Sequence, residues 1–168
     1  GLGGSGGKTL RFMKAGLNEW LESHGWDEGI PSGFQFAHID TPTEPDGKDT
    51  GDSSLITTEE YLGLVGRGMT FESIANDLDK KPKSYLDLGG WRVDPAKVDV
   101  SIQDGAGQYR ALGKSIGAAY LPQIKDFLNR RINKINEVEA QPQLNKLFTK
   151  VTGQPVGAGG QSEPFVVI

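Results

Sequence analysis

Cysteine is absent from this sequence, which excludes disulfides and cysteine-ligated zinc. Histidine is scarce: His24 and His38 lie 14 positions apart, in no helical or hairpin relation, so no metal site is expected. No apolar stretch approaches the roughly 18 residues that a membrane-spanning helix needs. Net positive charge is missing too. A formal charge of −4 argues against a nucleic-acid role, which calls for a basic face. A reducing cytoplasm is the expected setting.

Glycine is what the chain has in excess. Twenty-four of 168 residues is about twice the usual share of roughly 7%. The glycines gather at 1–7, 63–68, 89–90, 105–117 and 153–160, which points to specific loops more than to general disorder. Hydrophobic residues at 36% and charged residues at 24% suit one globular domain. The chain opens inside a glycine run and closes on Pro164-Phe165-Val166-Val167-Ile168, read as a buried strand. The expectation is therefore a partial domain over 1–168, with its first strand before Gly1.

Spacing predicts the elements. Leu10, Met13, Leu17, Trp20 and Leu21 form a helical stripe ending near Ser23, with Gly25 as its stop. Phe34 to Ile39 alternates apolar and polar and reads as a strand ending at Asp40. Residues 41–56 read as a surface loop, and 41–100 as an insertion-like region. Thr58-Glu59-Glu60 reads as a helix start, with Tyr61, Leu62 and Val65 on its apolar side. A short helix is expected from Thr70 to Leu78. A long one is expected from Gln108 to Ile135, kinked or restarted at Pro122. Leu144 to Val151 completes the helices, before a glycine-rich connector.

Gly1-Leu2-Gly3-Gly4-Ser5-Gly6-Gly7-Lys8-Thr9 is the segment richest in chemistry. Without a Cβ, glycines let backbone N–H groups approach a phosphate, and the dipole of a following helix favours the anion. A Walker A loop would require glycine at position 2, which is Leu2. Gly1, Gly3 and Gly6 satisfy the dinucleotide pattern, but its acidic partner, Asp40, comes late. A flexible Gly/Ser linker is the bland alternative. Gly105-Ala106-Gly107-Gln108-Tyr109-Arg110-Ala111-Leu112-Gly113 supplies a second glycine segment ahead of a helix. Arg110 is placed either to meet a phosphate or simply on the surface. Glu59 and Glu60 read as helix-start charges, and Trp20, Trp26 and Trp91 as packing residues.

These two segments, in this order around a strand ending in His38-Ile39-Asp40-Thr41, resemble the tubulin and FtsZ superfamily. The bacterial tubulin-like family is the nearer likeness. The resemblance implies an α/β fold: a Rossmann-like parallel sheet with flanking helices, of the tubulin/FtsZ GTPase-domain type, here incomplete. It also implies GTP or GDP, with a compatible magnesium ion. The nucleotide would be held by Gly1, Gly3, Gly4, Ser5, Gly6, Gly7, Lys8, Asp40, Gly105, Ala106, Gly107, Gln108 and Arg110. Homo-oligomer or filament formation follows from the same likeness, with GTPase activity only in a longer assembled protein. No residue of 1–168 is assigned a catalytic role. The alternatives are an NAD(P)-binding Rossmann-type oxidoreductase domain and a non-catalytic tubulin-like scaffold.

Overall fold

The computed structural model describes residues 1–45, 56–81, 93–107 and 109–157. The expected strand at 164–168 lies outside them, as do Gln108 and Trp91. Five α-helices dominate: α1 (Gly3–Ser23), α2 (Phe71–Asp79), α3 (Arg110–Ala119), α4 (Leu121–Ile135) and α5 (Ala140–Thr152). A 3-10 turn covers Pro95–Lys97. Two three-residue strands, β1 (His38–Asp40) and β2 (Tyr61–Gly63), pair in parallel, with His38 opposite Tyr61 and Asp40 opposite Gly63. Leu2 bridges Ile39 in parallel on the other side of β1. None of these helices is long and apolar enough to cross a membrane.

The expected Rossmann-like sheet with flanking helices is therefore corrected. The described residues form a mostly helical body with a two-stranded sheet. Most apolar residues recur at intervals of three or four, which suits helices, and few short runs remain to pair as strands. Phe34–Ala37, expected as strand, begins in a turn: Phe34 N–H donates to Pro31 O at 2.9 Å, and the Gln35 side chain donates to Ser32 O. Tyr61–Gly63, expected as helix, is β2. There the residues meet the edge of β1, and ladder hydrogen bonds overrule local helical spacing.

The helix ends follow local chemistry. Gly25, at φ +72°, ends α1 in the left-handed region where glycine carries no Cβ penalty. Thr70 caps α2 by accepting a hydrogen bond from Ser73 N at 3.3 Å. Pro122 sits in the first turn of α4, where its missing N–H costs nothing, so the long helical signal is two helices meeting at Tyr120.

Two clusters hold the body together. The larger joins Phe71, Ile74, Ala75 and Leu78 of α2 to Leu112, Ile116, Ala118 and Ala119 of α3, with Val65 and Ile102. The smaller joins Leu21, Trp26 and Leu147, bringing α5 back against the end of α1. Ile116→Ala, at a fully buried position, is expected to cost roughly 2–5 kcal/mol. Thr70→Ala should cost about 1 kcal/mol. Urea denaturation followed by circular dichroism checks both.

Candidate functional site

Gly3 to Lys8 are not a loop; they form the first turns of α1. This end of the helix lies directly on β1. Ile39 N–H donates to Gly1 O at 3.0 Å, and the Gly1 amine donates to Ala37 O at 2.8 Å. Gly7 is buried, and a Cβ there would collide with the His38 ring. His38 is 1% exposed and packs edge-on against Tyr61, with ring centroids 5.0 Å apart. Its Nε2 lies 3.1 Å from Gly3 O. A carbonyl can only accept, so Nε2 carries the proton. Nδ1 is buried and has no hydrogen-bond partner among the described residues. Asp40 is occupied locally: one carboxylate oxygen accepts from Thr41 N at 2.7 Å, and the other lies 3.7 Å from His38 Nε2.

Gly1, Gly3, Gly4, Ser5, Gly6, Gly7 and Lys8 are thus gathered beside the strand that ends in Asp40. Ala106 packs on the α2–α3 cluster, and Gly107 faces Val100 and Tyr109. Arg110 is the exposed first residue of α3. Among the described residues, no hydrogen bond or ion pair ties this second segment to the start of α1. Two clefts stand out, of about 250 and 300 Å³. Neither is lined by Gly1–Lys8 or Asp40, and Arg110 lines the larger beside Val93, Val98 and Val100.

The two-stranded sheet of this mostly helical body overturns the nucleotide expectations. A nucleotide of the Rossmann type sits in a crevice outside the carboxyl ends of several parallel strands, and the described sheet has two. GTP or GDP, its magnesium ion, and the guanine nucleotide as partner are withdrawn on that ground. GTPase activity and the homo-oligomer or filament go with them, because the likeness tied assembly to nucleotide held between subunits.

The residues that organise the smaller cleft were not visible as a set in the sequence. Lys14 of α1 is 8% exposed and donates to both carboxylate oxygens of Glu60, at 2.8 and 2.6 Å. Its ammonium also lies 5.4 Å from the Phe36 ring centroid. Glu60 also accepts from Thr57 N at 2.8 Å, so it is a turn-fixing anion and not a helix-start charge. Glu59 accepts from Lys134 of α4 at 2.8 Å, with Arg131 at 3.8 Å. The hydrogen bond and charge of Lys134, then the charge of Arg131, hold the Glu59 carboxyl below the usual range. A lowered carboxyl pKa stabilises the fold above the ordinary carboxylate range, and that contribution fades as pH falls through the lowered value. One sequence signal was available: Gly7, Leu10, Lys14, Leu17 and Leu21 are spaced 3, 4, 3 and 4. That run is the inward face of α1, whereas Met13 and Trp20 lie exposed.

The fold and this site define a helix-rich module in which a glycine-studded helix rests on a short parallel sheet. The chain belongs to the tubulin-like family, whose sequence model matches residues 1–165. No curated protein and no solved structure matches it.

Gly7→Ala is expected to cost roughly 1–3 kcal/mol through the clash with His38. Gly16→Ala on the same helix has nothing within 4 Å of the added Cβ and should stabilise by about 0.5–1 kcal/mol. Urea midpoints of the two variants test the contrast. Glu60→Gln removes the anion that neutralises the buried Lys14 ammonium and should cost roughly 3 kcal/mol, most of it recovered by pairing Lys14→Met with Glu60→Leu. Thermal melts at neutral pH measure this difference.

Proposed function

We propose that this chain is a non-catalytic scaffold module of the tubulin-like family, presenting helical surfaces to other proteins and turning over no nucleotide. One observation carries the reading: the glycines that would cradle a phosphate are used for packing. Gly7 gives up its Cβ so that the His38 ring can lie against α1, and the Gly1 carbonyl takes the Ile39 N–H of the central strand. The Gly3 carbonyl is bound to the same His38 ring. The two-stranded sheet supports the same view, since GTP and dinucleotide sites of this class both need a wider one.

Calorimetric titration of the chain with GTP, ATP and NAD, alongside a phosphate-release assay, tests the proposal. The expected outcome is no saturable binding tighter than about 1 mM, equivalent to roughly −4 kcal/mol, and no phosphate released above background. A saturable micromolar isotherm with any of the three would overturn it.

A further inference from the structure

Helix α4 carries a seam that the described fold covers only in part. Leu121, Lys125, Leu128, Ile132 and Ile135 are spaced 4, 3, 4 and 3 along it, the a/d spacing by which one helix packs along another. Leu121, Leu128 and Ile132 are 37%, 38% and 44% exposed, and Lys125 among them is exposed as well. The helix is held to the body from a different side. Phe127 is buried, and Arg131 and Lys134 reach Glu59.

Charge decides what can lie on the seam. Four cations (Lys125, Arg130, Arg131 and Lys134) against Asp126 make α4 net +3, within a chain of net −4. Glu59 engages Arg131 and Lys134. Lys125 and Arg130 form no ion pair among the described residues. Lys125 falls at an a position. In a parallel pair of identical helices it would meet the second copy's own Lys125, and in an antiparallel pair it would meet an apolar d residue. Neither supplies a carboxylate. A lipid surface fits poorly as well, because interfacial helices present a broad apolar face. Here Asn129 and Asn133 flank a stripe two residues wide per heptad.

We infer that the outer face of α4 docks an amphipathic helix of a partner protein, with apolar a/d residues and an acidic side chain opposite Lys125. The inference deepens the scaffold reading by naming the kind of partner. With 15 residues, α4 offers about 22 Å of seam, enough for two heptads and a reversible contact.

The test uses two labelled synthetic three-heptad peptides with isoleucine at a and leucine at d. One carries glutamate at the central a position, the other lysine. Fluorescence anisotropy with the whole chain should show the glutamate peptide binding at least about tenfold tighter, a gap typical of complementary against like charge. Lys125→Glu, a surface change checked by circular dichroism, should reverse the preference. Leu128→Asp should abolish binding of both peptides. Equal binding, no binding, or a preference unmoved by Lys125→Glu would overturn the inference. So would sedimentation on vesicles of phosphatidylcholine and phosphatidylserine that Leu128→Asp abolishes, or self-association of the chain that the same change removes. The nucleotide titration answers the scaffold reading separately, so either proposal can fail while the other stands.

Discussion

The contact of the Gly7 backbone with the His38 ring sets how close α1 can come to β1, and the arrangement around the sheet depends on that distance. With α1 lying so low, the Gly1 carbonyl takes the Ile39 N–H and Leu2 bridges one edge of β1. β2 takes the other edge. Two turns further along the same face, Lys14 reaches Glu60 just ahead of β2, and a third contact of α1, through Leu21, receives Trp26 and α5. One helix face thus organises both ends of the unit. Any side chain at position 7 would lift the first of these contacts away.

The helical part is joined in a different way. α2 and α3 share a buried apolar cluster, whereas α4 reaches the turn before β2 through Lys134 and Arg131 on Glu59. Attachment by charge on one side frees the outer a/d seam of α4 from core duty. Burial of Phe127 fixes which side that is. The module is thus built to hold its sheet tightly while leaving a helix face available.

On the proposed scaffold reading, membership of the tubulin-like family does not carry nucleotide chemistry with it. Fold and function separate wherever the same residues are given a different job. Here glycines in a phosphate-loop order serve a helix–strand contact, and Ala106 of the second glycine segment packs against the α2–α3 cluster. A glycine pattern records that the backbone must come close to something. It does not record whether that something is a phosphate or an imidazole.

Much of the helical layout was legible from residue order because its causes are local. Thr70 caps α2, Gly25 ends α1 and Pro122 opens α4, each through its own backbone or side-chain chemistry within one turn. The family likeness was legible for a similar reason, since it rests on contiguous motifs. What residue order could not show was which neighbour each segment would meet. Tyr61–Gly63 had helical spacing, yet it became a strand because the edge of β1 offered hydrogen bonds 23 residues away in sequence. Lys14 drew no reading from the sequence, because the Glu60 it pairs with lies 46 positions away. The sequence by itself determined where α1 ends and where α2 and α4 begin, because those signals lie within one turn. Tertiary structure alone decided that the glycines pack against His38, because that outcome depends on contacts between residues more than 30 positions apart.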